Sequence, residues 1–343
     1  MKSIYMLLVG IFISTTVLAQ NTAQKLLDEG NALFSQKKYP EAIKKYDAAL
    51  QSDPKSVPAL FKRSTTKVIL KDYNGALADL DKAVQLDPKN PGVYLNRGNV
   101  RGSRKEYELA IKDYDMALQL DPKSAVVYYE KGVAAFYLKK YDDAIALFGK
   151  SIEFHKENEK SYYFRGRIYA SKKQHEKAIA DFTEAIKLNT KYVDLYMSRG
   201  ESYRLSGKME LSIKDFQTAM QMDPDNYLAE NNLGYLYTET GDLDKAIAVF
   251  KKLIEKKPKI GYAYNNLGYL LFKKGKVAEG KEMILKSLEL TNNNSYANKN
   301  LAEIYLSEKD TKNACLQMEE ALKKGYTKDY GPEVEKLKEQ YCK

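Results

Sequence analysis

The chain has 343 residues, a formal charge of +10 and 28 tyrosines, but only two histidines and two cysteines. That leaves no catalytic constellation, no metal-ligand set and no cofactor site: His155 and His175 have no nucleophile or metal partner in the pattern, and no glycine-rich loop could cradle a phosphate. Much of the charge is in scattered lysine pairs such as Lys37-Lys38, Lys139-Lys140, Lys172-Lys173 and Lys273-Lys274. With no basic strip on one face, they speak for a solvated surface that meets acidic proteins, anionic polysaccharide or a membrane surface, and against nucleic acid.

At the N-terminus, Lys2 precedes a mostly apolar run from Ile4 to Leu18, and Val17-Leu18-Ala19 supplies small residues for cleavage. Residues 1–19 are therefore expected to be a signal peptide cut after Ala19, with 20–22 a short lead. An uncleaved anchor is the alternative, but the apolar run is short for a bilayer span. The cysteine of a lipoprotein junction is missing, and no later segment is apolar enough to cross a membrane. The mature protein is expected to be periplasmic or secreted.

From Ala23 the chain runs in a 34-residue beat. Gly30, Gly98, Gly132, Gly166, Gly200, Gly234 and Gly268 share one position, with Ser64 and Ala302 on the two remaining beats. Twelve residues later comes another small column: Ala42, Ala76, Ala110, Ala144, Ala178, Ser212, Ala246, Gly280 and Ala314. A mid-helix glycine costs about 1 kcal/mol relative to alanine, so its recurrence implies close packing of a helix pair. Position 24 is large and apolar throughout, for example Tyr46, Tyr114, Phe148, Phe182, Phe216 and Phe250. Pro54, Pro88, Pro122, Pro224 and Pro258 mark corners between units. Lys156, Thr190 and Asn292 stand there instead in three units, which predicts looser corners.

Taken together these columns resemble the tetratricopeptide repeat, a 34-residue helix–turn–helix unit. Nine units follow without insertion: 23–56, 57–90, 91–124, 125–158, 159–192, 193–226, 227–260, 261–294 and 295–328. The resemblance implies an all-α, right-handed α-solenoid (superhelix) in one elongated domain, with the helices of each unit over positions 2–14 and 18–30. It also implies that first helices line a concave face, mainly through positions 2, 5, 9, 12 and 13.

Comparison of the units with one another divides them. Arg63, Arg97, Arg165 and Arg199 occur in units that carry Asp79, Asp113, Asp181 and Asp215 sixteen residues later. Units without the arginine lack the aspartate, which predicts a bidentate pair bridging the helices of a unit. An anion-binding arginine ladder is the alternative.

The last three units instead read Asn231-Asn232-Leu233-Gly234-Tyr235, Asn265-Asn266-Leu267-Gly268-Tyr269 and Asn300-Leu301-Ala302. Similar asparagines in the superhelical arrays of the O-GlcNAc transferase family hold the backbone of an extended peptide, since a carboxamide both donates and accepts. Local pairing between neighbouring turns is the alternative. The concave positions add Tyr269 and Phe272 near the C-terminus and Tyr129, Phe136 and Tyr163 in units four and five, with charged residues in unit six between the two zones. The predicted peptide-binding set is thus Asn231, Asn232, Tyr235, Asn265, Asn266, Tyr269, Phe272, Asn300, Tyr129, Phe136 and Tyr163. The lysines of a dicarboxylate clamp are missing, so a C-terminal acidic tail is not the expected ligand.

Residues 329–343 are expected to form a capping helix begun by Gly331-Pro332, with Val334, Leu337 and Tyr341 on its apolar stripe. Cys342 extends that stripe, and Cys315 takes a position held by isoleucine or leucine in the first seven units. A Cys315–Cys342 disulfide is predicted, two buried thiols being the alternative. The functional expectation is a non-enzymatic scaffold binding an extended peptide segment of an envelope or secreted protein. A glycan-binding module using groove tyrosines and a structural spacer in an envelope assembly are the alternatives.

Overall fold

A computed structural model describes residues 20–342. The predicted signal peptide lies outside the described residues. Among those residues there is no strand, and no helix is long and apolar enough to cross a membrane. The repeat is visible in the helix boundaries themselves. First helices are α1 (residues 20–35), α3 (Val57–Ile69), α5 (Pro91–Ser103), α7 (Ala125–Tyr137), α9 (Glu159–Ser171), α11 (Val193–Leu205), α13 (Tyr227–Glu239), α15 (Gly261–Lys273) and α17 (Ser295–Ser307). Their partners are α2 (Tyr39–Ser52), α4 (Tyr73–Leu86), α6 (Tyr107–Leu120), α8 (Tyr141–Phe154), α10 (His175–Leu188), α12 (Met209–Met222), α14 (Leu243–Lys256), α16 (Val277–Leu290) and α18 (Thr311–Lys323). From α2 to α18 each helix begins one residue before the expected position, and α1 already includes residues 20–22. The three corners without proline keep the same register, so their missing ring does not shift the helices that follow.

The turn inside each unit follows from one backbone conformation. Position 15 is left-handed in all nine units: Lys37, Lys71, Lys105, Lys139, Lys173 and Lys309 have φ of 58–63°, and Gly207, Gly241 and Gly275 have φ of 77–81°. The next amide then reaches back to close the helix, as in Lys140 N–H to Ala135 O at 2.9 Å, the signature of a Schellman cap. Side chains start the following helix. Ser56 accepts from the Ala59 amide and Asn226 from the Ala229 amide.

The chain divides into two compact bodies at Ile168/Tyr169, within α9. In the first body, Tyr46, Leu80, Tyr114 and Phe148 are buried between the helices of their units. In the second, Phe216, Phe250, Ile284 and Met318 take the same place. These side chains explain the glycine column. A Cβ on Gly98 would lie 2.5 Å from Tyr114 Cε1, and one on Gly132 2.8 Å from Phe148 Cε1. The space is claimed by a ring in most units. At Gly268 backbone claims it as well, with Gly280 O 2.6 Å from the added carbon.

The C-terminal end differs from the expectation in two respects. A short helix, α19 (Tyr326–Tyr330), precedes α20 (Glu333–Tyr341), so the expected boundary at 328/329 falls inside a helix. Tyr326 and Val334 are buried against Ala314, Met318 and Ala321, with Leu337 beside them. Tyr341 is 41% exposed and does not join the stripe, because α20 ends on it and turns away towards Cys342. The Cys315 and Cys342 sulfurs are 2.01 Å apart and their Cα atoms 5.7 Å apart, which lets α20 be joined covalently to α18.

Candidate functional site

The pairing of the arginines decides which charges remain for a ligand. Arg63, Arg97 and Arg199 each reach the aspartate of their own unit in bidentate fashion; for Arg199 the bonds to Asp215 are 2.7 and 2.8 Å. Arg165 and Asp181 fall in different bodies of the chain. The same guanidiniums also reach backwards. Arg63 Nη1 meets Asp47 at 2.6 Å, Arg97 Nη1 meets Asp81 at 2.8 Å, and Arg199 Nη1 donates to Thr183 Oγ1 at 3.2 Å. Each arginine therefore joins its own pair to the preceding second helix, a link that sequence reasoning missed although the acid sits sixteen residues before. Unit one carries the same bridge with its charges exchanged, Lys45 to Glu29 at 2.6 Å. Opposing pulls act on Arg97 and Arg199: burial works to lower their pKa, and the paired aspartates leave it raised. These arginines hold the stack together and are not displayed as an anion ladder.

In the second body the asparagine column is not uniform. Asn300 Nδ2 donates to Asn265 Oδ1 at 3.0 Å, and Asn266 Nδ2 to Asn231 Oδ1 at 3.2 Å. Both bonds span 35 residues, one repeat plus one, so position 6 of one unit meets position 5 of the unit before. Asn265 Nδ2 closes the chain on Asn266 Oδ1 at 3.3 Å. Asn265 and Asn300 are buried, and the bond between them packs α17 against α15, while Asn300 Oδ1 has no hydrogen-bond partner among the described residues. Asn231 and Asn266 are half-buried. Asn232, also half-buried, makes no side-chain hydrogen bond with any described residue. One member of the column is thus free.

Tyr235, one turn on from that free carboxamide, and Tyr269 of α15 each carry a cation. Tyr235 is 47% exposed, with the Arg204 guanidinium 5.4 Å from its ring centre. Arg204 is itself held by Glu201 at 2.7 Å and by Glu239 at 2.8 Å. Burial, together with nearby Glu239, pushes the Tyr235 hydroxyl pKa upward. Tyr269 lies 6.2 Å from Phe272, with Lys273 5.0 Å and Lys299 5.4 Å from its ring centre. Lys299 is buried, pairs with Glu303 at 2.7 Å, and reaches Glu333 of α20 at 3.3 Å. Sequence reasoning passed over Lys299 because it replaces asparagine at position 5. Nearby, burial pushes the Tyr262 hydroxyl pKa up to about 12.

The first body gathers the other three predicted residues around one they omitted. Phe164 lies 6.1 Å from Tyr129, 5.5 Å from Phe136 and 5.6 Å from Tyr163. Arg167 covers the group, 5.3 Å from the Phe136 ring and 5.5 Å from that of Tyr163. All three predicted rings are half-buried, so this is a packed aromatic cluster with a cationic lid. Phe164 occupies the position that holds asparagine in the last units, and that substitution was the available sign. No group of histidine, cysteine or acidic residues among the described residues could hold a metal ion.

Comparison with known proteins agrees with this architecture. Family profiles described as tetratricopeptide repeat or TPR repeat match residues 30–63, 67–103, 91–124, 125–157, 159–192, 193–226, 234–275 and 261–294. No curated protein matches the chain. Among solved structures, the C-terminal part of a TPR repeat-containing protein from Cytophaga hutchinsonii superposes with a TM-score of 0.60 at 20% identity, over 70% of this chain and 99% of that one. Pseudomonas aeruginosa pilF gives 0.55 at 16% identity, over 65% and 98% of the two chains. A tetratricopeptide repeat protein from Parabacteroides merdae gives 0.51 at 18% identity, over 73% and 99%. These likenesses are of fold. The chain belongs to the tetratricopeptide repeat family, whose members serve generally as protein-interaction scaffolds.

Proposed function

We propose that this protein is a non-enzymatic scaffold that binds an extended segment of a partner protein along α13 and α15. The observation that carries the reading is Asn232: a half-buried carboxamide with no partner among the described residues, beside the exposed ring of Tyr235. A carboxamide there offers a donor to a peptide carbonyl and an acceptor to a peptide N–H. Tyr235, Tyr269 and Phe272 add amphipathic and apolar surface with few rotamers to freeze. Arg204 and Lys299 are each held by two glutamates, so the reading rests on the carboxamide and the rings and not on charge.

The proposed setting is outside the cytoplasm. The apolar run at 4–18 with its small-residue cleavage site supports export, and the Cys315 and Cys342 sulfurs lie at bonding distance in keeping with an oxidising compartment. Crosslinked partners captured from intact cells test the reading when wild type is compared with the Asn232→Ala/Asn266→Ala double variant by mass spectrometry. One protein lost selectively from the variant is the expected result, with thermal melting lowered only slightly. An identical partner set would move the binding surface away from α13 and α15.

A further inference from the structure

The first body holds a cleft of about 440 Å³ that no role above uses. It opens between α5, the start of α6, and α7. Glu130 lines it from α7 and is half-buried, and no described residue gives its carboxylate an ion pair or a hydrogen bond. Two further acceptors line the same cleft. The Tyr114 hydroxyl donates to Asn99 Oδ1 at 2.9 Å, which leaves lone pairs on the phenolic oxygen and on the amide oxygen. The apolar wall consists of Val133 and of Tyr137, whose ring stacks on Tyr107 at 5.1 Å and 8°. Tyr137 is 54% exposed, so part of its ring is open to the cleft mouth.

A negative group, two neutral acceptors and a flat aromatic wall make a site for a cation with several donors on a slender apolar stem. We infer that this cleft receives a lysine side chain from a polypeptide, its ammonium on Glu130 and its methylenes along Tyr137 and Val133. The ammonium's three N–H donors match the three acceptors, and the stem gains contact with the exposed ring. The cations near the site are Lys105, exposed on the rim, and Lys160, whose field reaches the Glu130 carboxyl without pairing with it. Burial of the carboxyl in the absence of a partner raises its pKa, the condition that an incoming cation relieves.

The arrangement is particular to this pair of units. The Tyr–Asn hydrogen bond recurs in unit one, Tyr46 to Asn31 at 3.1 Å, but there the positions of Glu130 and Tyr137 are held by Lys62 and Ile69. The inference extends the peptide-scaffold reading to a second place and does not depend on Asn232.

The test is methyl NMR on the full chain, following the Val133 methyl groups during titration with N-acetyl-lysine methylamide. The norleucine analogue and butylamine serve as comparison ligands. The expected result is a saturable shift with the lysine compound, none with norleucine, weaker binding of butylamine, and at least about tenfold loss of affinity in Glu130→Gln. Tyr137→Ala, which leaves the carboxylate in place, is expected to weaken binding less. No shift, equal shifts with lysine and norleucine, or a shift that survives Glu130→Gln in a protein with an otherwise native spectrum would overturn the assignment. Butylamine binding as well as lysine would replace the polypeptide by a free amine. Retention of lysine binding in Asn232→Ala/Asn266→Ala separates this site from the groove on α13 and α15.

Discussion

Arg199 and Asp215 give the sharpest test of what holds the stack together. Their side chains are 15% and 5% exposed and share two bonds, at 2.7 and 2.8 Å. Arg199→Leu strands a buried carboxylate, which costs about 3 kcal/mol at the lower end of the range for breaking buried pairs. Asp215→Val strands a guanidinium that water can reach, at a cost of about 2 kcal/mol. The double variant reproduces the next unit, where Leu233 and Val249 occupy these positions, and is expected to lie within about 1 kcal/mol of wild type. The coupling energy should therefore be about 4 kcal/mol or more. Because a repeat array opens unit by unit, the assay is native-state hydrogen exchange of amides in α11 and α12, not one global melting point. A double variant as unstable as the sum of the singles would refute the pairing argument.

Other consequences follow from the same geometry. Gly268→Ala places its methyl 2.6 Å from the backbone oxygen of Gly280, so a net loss of about 1–3 kcal/mol should appear in chemical denaturation despite alanine's better helix propensity. Lys139→Gly removes a side chain from a left-handed residue at φ 60°, and its melting temperature is expected to rise slightly. Reduction of Cys315 and Cys342, 27 residues apart, should lower the stability of the α18–α20 end by about 3–4 kcal/mol, read by exchange in α18. Glu130 has a raised folded-state pKa, so the folded state holds its proton more tightly than the unfolded state. Its carboxylate then costs stability as pH rises through the usual value of 4.5 and beyond. Glu130→Gln should accordingly be more stable than wild type at pH 7 and equal to it below about pH 4; the opposite order would contradict the cleft's description.

The helix pairs were legible in the sequence because close packing left two columns of small residues and a column of large ones. The reason for the glycine column was less so: the sequence suggests backbone approach, and in most units a ring at position 24 fills the space instead. Pairing within a unit showed in the joint appearance of Arg199 and Asp215, whereas the backward reach to Asp47 and Asp81 did not. A carboxylate sixteen residues upstream has many possible neighbours until the stacking is known.

The asparagine column shows the limit most clearly. Asn232, Asn266 and Asn300 are equivalent in spacing, but whether each has a neighbour at position 5 of the preceding unit decides between bonded and free. Asn266 finds Asn231 and Asn300 finds Asn265, whereas Asn232 is preceded by Met197. Lys299 was missed for a related reason, since its burial depends on Glu333, which α20 brings from a distant part of the chain.

The most direct measurement places a photo-crosslinking residue at Tyr235 in intact cells, with the same residue at exposed Leu285 of α16 as a control. The expected result is a discrete adduct from position 235, mapped by mass spectrometry to one short segment of a partner and lost on Asn232→Ala. Adducts from Leu285 alone, or adducts from 235 that persist without the carboxamide, would contradict it.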